Sequence, residues 1–343
     1  MLTPKERLFR VLAGKAVDRP PCICPGGMMN MIVEDVMDLT GKTWPEAHND
    51  SLLMADLAAG VYENGGFENF GVPFCMTVEA EAMGAQVNIG TRINEPRVTA
   101  YPLQSVEDWK KLQPINVNVG RAKIVTDAIT ILKARDPDVP VIANLCGPVS
   151  LASSLIEPMV YYKELYKKGD KAHEMMEFVT DNLIAFGKAQ IQAGATILAI
   201  SDPSGTGEIL GPKGFQKFAV PYLNKIIATI KSEAEVGVIV HICGRLKNIY
   251  SGITALNSDA ISFDSITNVK KLSESVTNKV IMGNVSTFAL EKGNTENITR
   301  AAQKCFENGV NILSPACGIG AKTSLANIRA IVDAAKSMNN THH

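Results

Sequence analysis

Short apolar runs alternate with helical stretches along most of this chain of 343 residues. Most runs end at or just before a glycine, proline or aspartate, and an amphipathic helical stretch then begins. The runs are Pro21–Pro25, Phe67–Val72, Val139–Cys146, Ala195–Ser201, Val236–Cys243, Ala260–Asp264, Val280–Asn284 and Val310–Pro315. Most are rich in β-branched residues and lack polar alternation, as parallel strands covered on both faces do. Eight such units predict an α/β fold of the (β/α)8 TIM barrel type, with an open doubly wound sheet as the alternative.

The first 130 residues fit this alternation less well. Met28–Gly60 has a helical pattern, and Phe74–Thr99 is irregular, with GAQVNIG at 84–90 predicting an added hairpin or loop. No G-x-G-x-x-G motif follows an early strand, so a dinucleotide-binding fold has no support. We expect one barrel domain over residues 1–343, with an N-terminal elaboration at 26–130 lying over the barrel mouth.

Charge and composition exclude several classes of protein. The 34 basic and 35 acidic residues nearly cancel, and no basic tract is present to neutralise nucleic-acid phosphates. No apolar run reaches the roughly 18 residues of a membrane-spanning helix, and the first residues lack the apolar core of a signal peptide. Seven cysteines, an odd number, argue against a secreted disulfide framework. We therefore expect a cytoplasmic protein that binds neither nucleic acid nor membrane; His342 and His343 look like a tail or tag remnant.

His241 and Cys243 stand at the end of an apolar run, in VGVIVHICGR. In an extended segment, residues two apart point to the same side, so this pair can present nitrogen and sulfur to one point. Cys317, in VNILSPACGIG, follows the last run in the same way. In a barrel all three side chains would reach the catalytic face, where two thiolates and one imidazole form a zinc set with one open position. The alternative is a buried histidine with two inert core cysteines.

Other polar residues also fall at the ends of runs. Asp264 is placed to close the fourth metal position when substrate is absent. Asp202 either binds substrate, orients His241 or caps a helix. Asn284 either faces the barrel mouth or caps the following helix. Glu79 and Glu81 belong either to the solvated surface or to a wall of the active cleft.

The remaining cysteines have a simpler interpretation as packing residues. Cys22 and Cys24 form a C-x-C pair on the first predicted strand, but no further ligand pair lies nearby. Cys75 and Cys146 lie at or beside strand ends, and Cys305 lies in a helical stretch. We expect these five thiols to be small core residues, with Cys305 in the core or at the surface.

The chain resembles the uroporphyrinogen decarboxylase superfamily and, within it, the zinc methylcobamide:coenzyme M methyltransferases. The resemblance runs from PKERLFRVLAGKAVDRPP at 4–21 to TSLANIRAIV at 323–332. Its specific segments are WPEAH (44–48), VPFCMTVEAEAMG (72–84), GPVSLAS (147–153), SDP (201–203), HICG (241–244), GNVS (283–286) and CGIG (317–320). The family's fold is a TIM barrel, in agreement with the pattern of apolar runs.

The resemblance implies a reaction and a set of site residues. It assigns zinc to His241, Cys243 and Cys317, with Asp264 as the fourth ligand. It implies methyl transfer from a methylcobamide, carried on a small corrinoid protein, to the thiol of coenzyme M. Candidate substrate-binding residues are Asp202, Asn284, Glu81 and Gly318, whose backbone amide could hold a sulfonate.

Two alternatives to this activity stay open. The acceptor could be tetrahydrofolate or a different thiol. A decarboxylase activity is disfavoured, because the decarboxylases carry an arginine-rich R-Q-A-G-R segment that holds tetrapyrrole carboxylates. The corresponding stretch here, RPPCICPGGMM, has no arginine after Arg19.

Overall fold

Seven parallel strands form the main sheet in the computed structural model, which describes residues 2–338. They pair in the order β1-β4-β5-β6-β7-β8-β9, and β2 and β3 form a separate antiparallel pair. The strands are β1 Phe70–Val72, β2 Gln86–Asn88, β3 Arg97–Ala100, β4 Val141–Cys146, β5 Ile197–Ser201, β6 Gly237–Ile242, β7 Ala260–Phe263, β8 Val280–Val285 and β9 Ile312–Pro315. The predicted α/β class with a parallel sheet is confirmed.

Burial explains why these strands lack polar alternation. Every residue of β4, β5 and β6 is buried, so both faces of the sheet are covered. A strand covered on both faces needs apolar side chains at consecutive positions. The register places Ser201, His241 and Ser262 side by side on β5, β6 and β7, which brings polar groups to one end of the sheet.

Helices connect the strands and cover the sheet. The helices are α1 Pro4–Leu12, α2 Glu34–Thr40, α3 Ser51–Glu63, α4 Val78–Ala82, α5 Gly120–Arg135, α6 Pro148–Ala152, α7 Pro158–Lys167, α8 Gly169–Ala193, α9 Gly207–Gly214, α10 Val220–Glu233, α11 Tyr250–Thr254, α12 Val269–Ser275, α13 Thr287–Lys292, α14 Thr295–Glu307 and α15 Leu325–Ser337. The longest, α8, ends at Gly194, whose φ of +124° ends the helical conformation at little cost for a glycine. No helix among residues 2–338 is long and apolar enough to span a membrane.

The first predicted strand, Pro21–Pro25, is wrong as a regular strand. Only Cys22 forms a β-bridge there, parallel to Leu313 of β9. Prolines at both ends of this segment lack the N–H groups that a ladder requires. The segment nevertheless bonds to two neighbours, since Ile23 N–H donates to the Leu313 carbonyl (3.0 Å) and Glu68 N–H to the Cys22 carbonyl (2.9 Å).

The irregular N-terminal region contains the hairpin that its sequence predicts. β2 and β3 pair within 86–100, so the hairpin alternative for GAQVNIG is confirmed. The helical pattern predicted over Met28–Gly60 is only partly right, because α2 and α3 account for part of it. Residues 28–33 instead lie in a non-helical stretch, buried from residue 29 onward. This stretch reaches the loop after β9, where the Ile319 N–H donates to the Asn30 carbonyl (2.9 Å).

Candidate active site

His241, Cys243 and Cys317 lie together where β6 and β9 end. His241 is the fifth of the six residues of β6, and Cys243 follows that strand directly. The Nε2 atom of His241 lies 3.2 Å from Cys243 Sγ, as the same-side placement of alternate residues predicts. Cys317 follows β9 and places its sulfur 3.8 Å from that of Cys243.

The spacing of these three donors suits a tetrahedral metal ion. The three ligand atoms lie within 4.8 Å of one another, and within residues 2–338 no other group of three His, Cys, Asp or Glu residues does so. A tetrahedral ion bound at about 2.3 Å from each sulfur holds two sulfurs about 3.8 Å apart, the separation found here. A disulfide would require about 2.05 Å. One nitrogen and two sulfurs therefore form a soft donor set with room for a fourth ligand.

The contact between the two sulfurs shifts the pKa values of the two thiols in opposite directions. A hydrogen bond from Cys243 lowers the pKa of Cys317, and His241 lowers it further. The same hydrogen bond raises the pKa of Cys243. The Gly318 N–H also bonds to the Cys317 sulfur and favours the thiolate. Cys317 is thus the first of the pair to become a thiolate, the form that binds metal.

Asp264, the predicted fourth ligand, lies outside the group of three donors in this conformation. Its Oδ1 atom accepts a hydrogen bond from the Ile266 N–H (3.1 Å), as in an Asx-turn. The carboxylate is near enough to Cys243 to raise the pKa of that thiol. Its role as a metal ligand stays a prediction.

Asp202 is fully buried at the start of α6. Its carboxylate accepts hydrogen bonds from the Ser150 N–H (2.8 Å), the Ser150 hydroxyl (2.7 Å) and the Val149 N–H (3.3 Å). These bonds satisfy backbone N–H groups in the first turn of α6, so Asp202 acts as a helix cap. The capped helix follows β4, whereas Asp202 itself follows β5. A role toward substrate stays a prediction.

Asn284 and Gly318 shape the loops beside the donors. The Asn284 amide donates to the carbonyls of Asp264 and Thr267, both at 3.1 Å, and so fixes the loop after β7. The following helix is capped by Ser286, not by Asn284. The Gly318 N–H serves Cys317, and whether it also contacts substrate stays a prediction.

Glu79 and Glu81 lie on α4 in different surroundings. Glu79 is buried, and burial raises the pKa of its carboxyl, while Oε1 accepts from the Cys146 N–H (2.8 Å). Glu81 is partly exposed and pairs with the buried guanidinium of Arg121 (2.6 Å). Glu81 is therefore already neutralised, and its binding of substrate stays a prediction.

Sequence reasoning missed Glu95, which lies between β2 and β3. Crowding by surrounding protein raises the pKa of its carboxyl to about 7, and the negative charge of Cys317 adds to this effect. The residue is nevertheless exposed to solvent. No sequence motif marks it, because the hairpin brings it to Cys317 across more than 200 positions of the chain.

Comparison with known proteins places this site in a family. Residues 3–338 match the sequence model of the family described as uroporphyrinogen decarboxylase (URO-D). The chain belongs to this family. It is similar over 98% of its length to the methylcobamide:CoM methyltransferase MtbA of Methanosarcina acetivorans, at 35% identity and with 98% of that protein covered. It is 34% identical to the methylcobamide:CoM methyltransferase MtaA of Methanosarcina barkeri, with 97% of both chains covered.

A solved structure of the family agrees with the fold. A methyltransferase from Methanosarcina mazei superposes with a TM-score of 0.91 at 32% sequence identity, covering 98% of this chain and 99% of the other. The resemblance inferred from the motifs is therefore confirmed.

Proposed function

We propose that this protein transfers a methyl group from a methylcobamide to the thiol of coenzyme M, with zinc held by His241, Cys243 and Cys317. One observation carries the proposal: a nitrogen and two sulfurs converge within 4.8 Å at the strand ends. They do so in a chain about one-third identical, over nearly its whole length, to proteins named for this reaction.

The donor set suits activation of a thiol. A free alkyl thiol is mostly protonated at neutral pH, and the thiolate is the nucleophile. Zinc, when bound, deprotonates a coordinating thiol and holds it as a thiolate. Cys243 and Cys317 as thiolates, with a neutral His241, balance the charge of the ion, so a substrate thiolate keeps more electron density than a cationic site would leave it.

The transfer itself conserves atoms and electrons. The sulfur lone pair forms the new carbon–sulfur bond while the carbon–cobalt bond breaks, and that electron pair stays on cobalt, which leaves as cobalt(I). The thiol proton goes to solvent. The protein's task is to hold the sulfur in line with the methyl group.

Observations around Arg19 disfavour the decarboxylase alternative. Its guanidinium is largely buried and pairs with Glu68, with Nη1 2.9 Å from Oε2. It is therefore unavailable to bind tetrapyrrole carboxylates. Tetrahydrofolate or another thiol remains the second candidate acceptor.

We also propose the finer organisation of the fold. The backbone of Pro21–Pro25 hydrogen-bonds to β9 on one side and to the stretch before β1 on the other. These bonds support a TIM barrel in which Pro21–Pro25 takes the place of the eighth strand. The ion pairs of Arg92 with Glu34 and Asp38 support packing of the 86–100 hairpin on α2, within an N-terminal elaboration at 26–130 of a single domain over 1–343.

The proposed partner is a small corrinoid protein in the cytoplasm. Exposed Ile266 and Phe288 follow β7 and β8, which lie between β6 and β9 in the sheet. Exposed apolar side chains after these strands support docking of a partner at this end of the sheet.

A methyl-transfer assay tests the proposal. Zinc-loaded protein is mixed with methylcobalamin and coenzyme M, and loss of the methyl–cobalt absorbance is followed together with methylated thiol. We expect turnover that is lost in Cys317→Ser and kept in the control Cys305→Ala, whose thiol contacts Asn284 instead of the donors. Turnover only with tetrahydrofolate or another thiol would replace the acceptor, and turnover of a porphyrinogen without zinc would overturn the proposal.

A further inference from the structure

His241 and Ser262 are neighbours across adjacent strands. They are register partners on β6 and β7, and the His241 Nδ1 atom lies 2.9 Å from Ser262 Oγ. The other ring nitrogen, Nε2, faces the two sulfurs. Both residues are essentially inaccessible to solvent, so water does not compete for this contact.

The hydroxyl of Ser262 has a second partner, the thioether of Met29. The Oγ–Sδ distance is 3.3 Å, and Met29 is buried as well. A thioether carries no proton and only accepts hydrogen bonds. When the hydroxyl donates its one proton to Met29, its oxygen is left to accept from the Nδ1–H of His241.

The direction of the hydrogen bond between Ser262 and His241 matters because the neutral histidine ring has two tautomers. With the proton on Nε2, the ring would donate to the neighbouring thiolate, an arrangement that suits the metal-free site. With the proton on Nδ1, Nε2 presents a free lone pair to a metal ion. The contacts of the metal-free donors thus favour one tautomer, and metal binding requires the other.

We propose that Ser262 and Met29 are positioning residues that together hold His241 in the Nδ1–H tautomer and keep Nε2 ready to bind the metal. This inference rests on the metal site of the proposed function. Second partners of ligating histidines commonly set the ring orientation and the basicity of the ligand. A serine hydroxyl alone can either donate to the histidine or accept from it. Here Met29 accepts the hydrogen bond from the hydroxyl, so the serine oxygen accepts one from the histidine.

Zinc affinity, measured by competition with a chromophoric chelator, is the first test. We expect Ser262→Ala to weaken binding roughly 10–100-fold. Met29→Leu conserves volume but removes the acceptor, and should weaken binding roughly fivefold, the weight of one neutral hydrogen bond. Ser262→Thr retains a hydroxyl and should restore affinity. Met31→Leu, a second buried methionine of the same segment, is the matched control and should have no effect.

The tautomer itself is the second readout and does not depend on activity. In metal-free protein labelled with 15N-histidine, the ring nitrogens of His241 are assigned by their loss in His241→Gln. We expect the fraction of rings that carry the proton on Nδ1 to be lower in Met29→Leu than in wild type, because the Ser262 hydroxyl is then free to donate to Nδ1. An unchanged tautomer ratio and unchanged affinity in Met29→Leu would overturn the inference, whereas failure of the wild type to bind zinc would instead overturn the proposed function.

Discussion

Gly318 approaches Met28 so closely that a β-carbon at position 318 would lie 2.4 Å from the Met28 carbonyl oxygen. The loop carrying Cys317 thus packs directly on the 28–30 segment, and the Ile319 N–H bond to Asn30 fixes the same contact. The position of one metal donor therefore depends on a part of the chain nearly 300 residues away.

Gly318→Ala should displace this loop and weaken metal binding. A backbone oxygen cannot move aside as a flexible side chain does, so the Cys317 sulfur must shift. We expect zinc affinity to fall roughly 10–100-fold, the usual cost of disturbing the support of a ligand. Gly169→Ala is the control, since its nearest contact would be Lys217 Nζ at 3.5 Å. Equal affinities of Gly318→Ala and wild type in a chelator competition would contradict the packing.

Thiol reactivity should divide the seven cysteines into two groups. Cys243 and Cys317 are partly exposed, and the other five are buried. Burial raises the pKa of Cys22, Cys24 and Cys146, whereas the hydrogen bond from Cys243 lowers that of Cys317. Only the thiolate is alkylated.

Iodoacetamide should therefore label Cys317 and then Cys243 in reduced, metal-free protein, and zinc should suppress both. Peptide mass spectrometry during a time course measures this directly. Labelling of Cys22 or Cys24 as fast as Cys317 under native conditions would show that these two thiols are not buried.

His48 should make the protein less stable in mild acid. Burial lowers the pKa of its ring to about 3, and neither ring nitrogen has a hydrogen-bond partner among the described residues. Because the unfolded chain titrates near pH 6.5, it binds more protons than the folded chain between about pH 6.5 and pH 3. The stability is fully present above that window and is lost as the pH falls through it, by about 1.4 kcal/mol per unit at most.

His48→Phe should remove this loss. The ring stacks on Trp44, with centroids 5.4 Å apart, so phenylalanine keeps the packing and breaks no described hydrogen bond. Urea unfolding at pH 8, 6, 5 and 4 should give a shallower decline for the variant than for wild type. Parallel curves would contradict the assignment.

Substitution of Asp264 and substitution of Cys317 should have different effects on the amount of zinc that the protein retains. Since the Asp264 carboxylate lies outside the three-donor group and bonds its own loop, Asp264→Asn should retain about one zinc per chain after dialysis. Cys317→Ser should lose most of it. Loss of zinc from Asp264→Asn to the same extent would make the carboxylate an essential ligand.

The sequence predicts those features that depend on neighbours along the chain. His241 and Cys243 are two residues apart on an apolar strand, so their shared direction follows from strand geometry alone. Because Cys317 also follows an apolar strand, the sequence correctly predicts that it lies beside His241 and Cys243. The failure at Pro21–Pro25 has a local cause as well, because terminal prolines remove ladder hydrogen bonds.

Features that depend on remote partners were beyond sequence reasoning. Asp202 caps a helix that follows a different strand, and Ser262 meets His241 only through the register of β6 and β7. Glu95 reaches Cys317 through a hairpin. No pattern within a short window encodes these pairs, because the packing of distant segments creates them.

Zinc X-ray absorption tests the central claim most directly. The three-donor site predicts two sulfurs at about 2.3 Å in the resting protein, plus nitrogen and oxygen ligands. Addition of coenzyme M should raise the count to three sulfurs as its thiolate binds. A sulfur count that stays at two under saturating coenzyme M would contradict activation of the thiol by this site.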